Sequence, residues 1–230
     1  MTSLTTNPIL VVDDEHTIRL GFSIALQSAG FEVEVASDGI EAIERVNTVT
    51  PDCVVLDLRM PGMNGLEAAR ELRENGFNGP IVLASAYVDH NTAVASLGIG
   101  ITDFLVKPVK PTQLRYAVNH ALSRHVRFSQ AGYTSVGEIP PGLLRAYAKF
   151  CLSQRRRQEA KAALLAHTAG SDDLQGLLLL GALYELEKDM ERASELFVRA
   201  AELHARCISL ATTNELFNVF SHSDHSLVAD

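Results

Sequence analysis

Four short apolar runs in the first half of the chain each stop on a polar group. ILVVDD ends on Asp13 and Asp14, CVVLDL carries Asp57, IVLAS ends on Ser85, and DFLVKP ends on Lys107 with Pro108 directly after it. Continuous apolar runs of this length predict strands buried on both faces. FEVEV instead alternates strictly and predicts an edge strand with one wet face. The strands are expected at Ile9–Asp13, Phe31–Val35, Asp52–Asp57, Ile81–Ala84 and Ile101–Val106, with helical spacing between them near 16–29, 38–48, 65–75, 89–97 and 111–126. Strands alternating with helices predict a doubly wound α/β fold around a five-stranded parallel sheet over residues 1–127. In such a sheet, ligands bind beyond the carboxyl ends of the strands, where the four polar groups are expected.

The rhythm then changes. Residues 128–141, FSQAGYTSVGEIPP, are rich in small residues and end on a Pro pair, which predicts a linker. Beyond it Ala, Leu, Arg and Glu dominate, an all-helical composition. This second segment, 142–220, repeats: Leu144, Ala148, Ala160 and Leu164 fall opposite Leu177, Gly181, Ala193 and Phe197, a shift of 33 residues throughout. Helix hairpins at that period resemble tetratricopeptide repeats. Leu177, Leu180, Gly181, Tyr184, Ala193, Phe197 and Ala200 fit the pattern of that family, whereas Lys188 stands where it prefers Gly and Ala205 where Pro is usual. The first unit is weaker, with Cys151 opposite Tyr184, and an ordinary helical bundle is the alternative. A capping helix is expected near 213–220, and residues 221–230 read as a disordered tail.

Composition narrows the function classes. The net charge is −8. Ten Lys/Arg against fifteen Asp/Glu up to residue 134 leave −5, and ten against thirteen beyond it leave −3. Neither half is basic, which argues against a dedicated nucleic-acid binder. Cys53, Cys151 and Cys207 are odd in number and widely spaced, which favours a reducing cytoplasm. The N-terminal stretch lacks the pattern of a signal peptide, and no apolar run is long enough for a membrane helix. The basic run QRRRQ at 154–158 reads as a solvated helix face or as a contact for a phosphate or an acidic partner.

The chemistry sits at the strand ends. Asp13, Asp14 and Asp57 in one crevice repel each other and stay ionised only beside positive charge. Lys107 offers one such charge, and a hard divalent cation such as Mg²⁺ suits the oxygen donors. Asp57, ending a central strand, is the natural nucleophile toward phosphorus, with Ser85 and Lys107 placed to hold phosphoryl oxygens. Other readings exist for each group: helix capping for Asp13 and Asp14, a turn for Ser85, a solvated surface for Lys107.

Together VVDDEH, VVLDLRMPGMNGLE, LASA and DFLVKP, in this order and spacing, resemble the receiver domain of the response-regulator family of two-component signalling. The resemblance covers residues 7–127. It implies Asp57 as phosphoacceptor, and Mg²⁺ held by Asp14, Asp57, the Arg59 carbonyl and, through water, Asp13. It implies a cis peptide before Pro108 and a switch pair of Ser85 and Phe104. Arg59 and Tyr87 fall where the family tunes dephosphorylation, and two long side chains there favour a phosphoryl group that is not short-lived.

The expected protein is therefore a response regulator rather than an enzyme, with at most Mg²⁺-dependent self-phosphorylation and slow autodephosphorylation. Its partners would be a sensor histidine kinase or phosphotransfer protein and a protein bound by the helical module. Rival outputs are a divergent DNA-binding domain and a scaffold that forms a homodimer through its receiver.

Overall fold

The computed structural model describes residues 7–86 and 90–207. Strands β1 (Ile9–Val12), β2 (Val33–Ala36), β3 (Cys53–Asp57), β4 (Ile81–Ser85) and β5 (Asp103–Val106) alternate with helices α1 (His16–Gln27), α2 (Gly39–Val49), α3 (Gly65–Glu74), α4 (His90–Ile99) and α5 (Pro111–Ala131). Four more helices follow: α6 (Leu144–Ser153), α7 (Arg157–Gly170), α8 (Leu174–Leu186) and α9 (Met190–Cys207). Expectations for Tyr87, for a helix at 213–220 and for the tail 221–230 lie outside the described residues.

All strands pair in parallel in the order β2-β1-β3-β4-β5. The three central strands β1, β3 and β4 are buried along their whole length, as continuous apolar runs demand. FEVEV supplies the edge strand β2, whose Val35 faces outward. The strand starts at Val33 because Phe31 tucks into the core ahead of the ladder, its amide bonded back to the Leu26 carbonyl. At β5, Ile101 and Thr102 stay outside the strand. Thr102 instead clips the start of β4, its amide bonding the Ile81 carbonyl and its hydroxyl accepting from the Ile81 amide.

One sheet face packs Ile9, Val11, Val55, Val82 and Leu105 on α1 and α5. The other packs Leu10, Val12, Leu56, Leu83 and Phe104 against α2, α3 and α4. That second cluster does not stop at the α/β layer, because it continues without a break through Phe128, Ile139, Leu143 and Tyr147 to Leu180, Tyr184 and Ala193. Helix α4 is apolar nearly all round, the pattern of a helix covered on both sides. The sheet covers one side, and α6 and α8 pack on the other.

The boundary expected at 127/128 falls inside α5, which runs on to Ala131 before Gly132 ends it in the left-handed region. The segment 128–141 folds back on α6: Phe128 and Ile139 are buried, and the rings of Phe128, Tyr133, Tyr147 and Phe150 meet at centroid distances of 5.4–6.5 Å. Small residues and prolines make this stretch look loose in the sequence, but its aromatic and aliphatic side chains anchor it.

The last four helices form two hairpins, α6–α7 and α8–α9, packed through α7 and α8. Two hydrogen bonds in each turn correspond at a shift of 33. The Arg155 amide bonds the Leu152 carbonyl and Arg156 that of Cys151, as Lys188 bonds Glu185 and Asp189 bonds Tyr184. Arg155 and Lys188 both take a left-handed backbone, with φ of 60° and 62°.

Candidate functional site

The carboxyl ends of β1, β3, β4 and β5 converge because the register sets Asp57 beside Ala84 and Ser85 beside Val106, with Val12 beside Leu56. The chain reverses direction across the sheet between β1 and β3, and such a switch point opens a crevice above the strands. Asp13, Asp57 and Ser85 are buried there. The Lys107 ammonium bridges the two carboxylates, with Nζ 2.7 Å from Asp13 Oδ2 and 2.6 Å from Asp57 Oδ1. Each carboxylate spends its other oxygen on a nearby amide: Asp57 Oδ2 accepts from the Arg59 N–H at 2.8 Å and Asp13 Oδ1 from that of Glu15 at 2.9 Å. Asp14, next along the chain, is exposed, as is Arg59. The Lys107–Pro108 peptide is cis. The Ser85 carbonyl accepts the Lys107 amide at 2.9 Å, tying the ends of β4 and β5 together. Phe104 lies in the core beneath them, 2% exposed.

Electrostatics follow from two anions sharing one cation. Burial raises the Asp57 carboxyl above the ordinary range; its hydrogen bond and charge pairing with Lys107 pull it back down, and Asp13 adds to the rise. Burial works against the Lys107 ammonium, but its bonds to Asp13 and Asp57 outweigh that and raise it. Among the described residues no three His, Cys, Asp or Glu side chains are grouped as a ready metal cage. The donor chemistry nonetheless fits a hard cation: two buried carboxylates short of one positive charge, a third, exposed carboxylate next along the chain from Asp13, and oxygen donors throughout.

The loop after β3 holds two residues that the sequence reading passed over. A Cβ on Gly65 would sit 2.2 Å from the Asp57 carbonyl oxygen and 2.8 Å from Leu58 Cα, so only glycine lets α3 start this close to the strand end. Asn64 caps α3 through its side chain to the Leu66 and Glu67 amides, and Glu67 returns a bond to the Asn64 amide. The signal was present in NGLE, since Asn followed three residues later by Glu is a capping-box pattern. This loop carries Arg59, so its rigidity fixes the amide that holds Asp57.

In the helical module, Leu177 and Ala193 are fully buried and Tyr184 nearly so. Lys161 and Arg192 lie over the Tyr184 ring at 4.0 and 5.5 Å. Gly181 faces Phe197, whose ring would meet an added Cβ at 2.7 Å. His167 is bound to Asp173 at 2.9 Å, and Asp173 also pairs with Arg145 and caps α8, so this histidine serves the packing of the module.

A family model described as "Response regulator receiver domain" matches residues 9–119. Over 116 residues the chain is 38% identical to the regulatory protein AtoC of Escherichia coli (strain K12), which covers 50% of this chain and 25% of AtoC. It is 37% identical over 131 residues to the DNA-binding response regulator MtrA of Mycolicibacterium smegmatis, covering 57% of each. The chain thus spans from a quarter to just over half of these relatives' lengths. The crystal structure of a CheY-like receiver domain protein from Methanospirillum hungatei JF-1 superposes with a TM-score of 0.51 over 54% of this chain and 98% of its own, at 24% identity, a likeness of fold. Since MtrA is DNA-binding by name, the expectation against a nucleic-acid partner finds no support among the relatives. No described helix is long and apolar enough to cross a membrane.

Proposed function

We propose that residues 9–119, which match a response regulator receiver domain model, act as a receiver whose phosphoacceptor is Asp57, charged by a sensor histidine kinase or phosphotransfer protein. The observation that carries this reading is the bridged pair itself: Asp57 ends the central strand β3 in a buried crevice, with one oxygen on Lys107 and the other on a backbone amide. An Asp57 oxygen attacks phosphorus as the bond to the donor's nitrogen breaks. Lys107 then turns from the carboxylate to a phosphoryl oxygen, and the Ser85 hydroxyl donates to another. Asp14, Asp57, the Arg59 carbonyl and, through water, Asp13 would hold Mg²⁺, which when bound neutralises charge on the phosphoryl group. Loss of the Ser85 and Lys107 positions of the resting site draws Phe104 along, and the surface of α4, β5 and α5 shifts between two pre-existing arrangements. Arg59, two residues after Asp57 and exposed, would hinder the hydrolytic water and lengthen the life of the phosphoryl group.

The output in this reading is a protein partner of the tetratricopeptide-like helical module. Two hairpins with the same turn hydrogen bonds at a shift of 33 support the repeat, and the packing of α8 on α4 supplies a route from receiver to module. The DNA-binding names among the relatives favour a second reading, a nucleic-acid output. Acetyl phosphate with Mg²⁺ is expected to add one phosphate mass to the full chain and none to Asp57→Asn. Equal labelling of both moves the acceptor elsewhere. Pull-down with the full chain, with and without a phosphate mimic, tests the protein output. Salt-dependent binding to duplex DNA by the same protein would replace it with the nucleic-acid one.

A further inference from the structure

The basic run QRRRQ is divided between two tasks. Its middle residue, Arg156, turns into the helical module, where it pairs with Glu159 and reaches the Tyr147 hydroxyl. Arg155 and Arg157 turn the other way, toward the receiver, and line a cavity of about 440 Å³ between the two modules. Arg70 and Arg73 of α3 line the same cavity from the opposite side. Four arginines therefore line one space, with Glu74 the single carboxylate residue in its wall.

None of the four forms an ion pair with any described residue. Arg73 is 95% removed from solvent by its 5% exposure. It donates to the carbonyls of Phe77, Gly79 and Gly100, while its Nε is buried without a partner. Arg157 donates to the Gly98 carbonyl at 2.7 Å, and Arg155 reaches the Arg73 carbonyl only at 3.5 Å. Carbonyl oxygens orient these groups but leave their charge unbalanced. Burial brings Arg73 down to about 10, and the neighbouring Arg155 charge adds to the fall, which registers the same imbalance. An excess of positive charge in one cavity is notable in a chain whose net charge is −8.

We propose that this cavity binds a small phosphorylated anion, held by Arg70, Arg155 and Arg157 and backed by the buried charge of Arg73. Guanidinium groups match phosphate oxygens with paired, charge-assisted hydrogen bonds. The cavity falls in the size range of small-molecule sites, roughly 300–1,000 Å³. A carboxylate ligand would satisfy fewer donors than a phosphate, and a cavity walled on both sides excludes a broad partner surface. Because α3 and α4 form one wall and the α6–α7 turn and Leu186 the other, the ligand favours the arrangement in which the helical module is docked on the receiver. This site is separate from the strand-end carboxylates and does not depend on the role given to Asp57.

Titration calorimetry of the full chain in EDTA, at fixed ionic strength, with inorganic pyrophosphate and with ATP as probes, tests the proposal. Saturable one-to-one binding of at least one probe is expected, weakened about tenfold or more in Arg70→Gln and again in Arg155→Gln. Both side chains are exposed, and each variant should keep the wild-type melting temperature without probe, which separates a lost site from a lost fold. Absence of saturable binding by both probes overturns the proposal, as does binding unchanged by either substitution. Displacement of the probe by an equal phosphate concentration of duplex DNA would overturn the small-molecule assignment, since the same guanidinium groups would then belong to a nucleic-acid surface.

Discussion

Lys107 is the residue on which the strand-end site turns. Its ammonium separates two carboxylates that are 1% and 4% exposed. Removing one member of a buried charge group leaves the others unpaired, at a cost of about 3–5 kcal/mol. Lys107→Ala should therefore lose about 3 kcal/mol by urea unfolding at pH 7 in EDTA. The sign of its pH dependence is fixed. Without Lys107 the already raised Asp57 carboxyl rises further, so the variant's deficit shrinks as pH falls and one carboxyl takes a proton. A deficit that stays constant from pH 7 to pH 5 would show that the ammonium is not compensating these two groups. Gly65 makes a different kind of demand. The atoms a Cβ would strike are backbone atoms of Asp57 and Leu58, which cannot swing aside as a side chain would. Gly65→Ala should cost about 3 kcal/mol as overpacking and also slow labelling of Asp57 by acetyl phosphate, because the strand end must shift to admit the methyl group. Wild-type unfolding and labelling in that variant would mean that α3 can back away freely.

At the level of elements, the α8–α9 hairpin is where the repeat can be tested. Gly181 lets α8 approach the Phe197 ring of α9, and Lys188 closes the turn with a left-handed backbone. The two positions should respond in opposite directions. Gly181→Leu forces several carbons into an occupied space and should destabilise by roughly 1–3 kcal/mol. Lys188→Gly relieves a side chain from a region that favours glycine and should stabilise by about 1 kcal/mol. Thermal melting of the full chain is the measurement, because the module shares a continuous hydrophobic cluster with the α/β layer. The same sign for both substitutions would be incompatible with this hairpin.

For the molecule as a whole, the contact between layers is the feature with a pH signature. His125 of α5 is pressed against Phe150 and lies 3.5 Å from Gln154 of the helical module, with Arg73 and Asp52 as its charged neighbours. Burial lowers its pKa and the Arg73 charge lowers it further, against a smaller opposing pull from Asp52. A histidine whose folded pKa lies below its ordinary value of 6.5 takes up its proton more readily unfolded. The stability it contributes is thus present above about pH 6.5 and is lost as pH falls through that value toward the lowered one. Protection against hydrogen exchange at the end of α5 and in α6, corrected for the intrinsic pH dependence of amide exchange, should fall between pH 7.5 and 5.5, and His125→Gln should flatten that change. An identical profile in the variant would place the pH response elsewhere.

The sequence alone determined the α/β layer and marked the polar groups that its strand ends carry. Strands buried on both faces must be written as unbroken apolar runs, so the polar groups that interrupt them at Asp13, Asp57, Ser85 and Lys107 stand out, and the parallel topology obliges their ends to meet. That the second half is helical was equally legible, since Ala, Leu, Arg and Glu dominate it. What adjacent carboxylates do was not legible: Asp13 and Asp14 are equivalent in the string, yet the end of β1 buries the first and leaves the second exposed. The anchoring of 128–141 was hidden too, because the burial of Phe128 and Ile139 depends on α6, a partner outside the segment. Hidden most deeply was the gathering of Arg70, Arg73, Arg155 and Arg157 around one cavity. Residues so far apart in the chain meet only when one folded layer docks on another, and that arrangement is set by the shape and packing of both surfaces together.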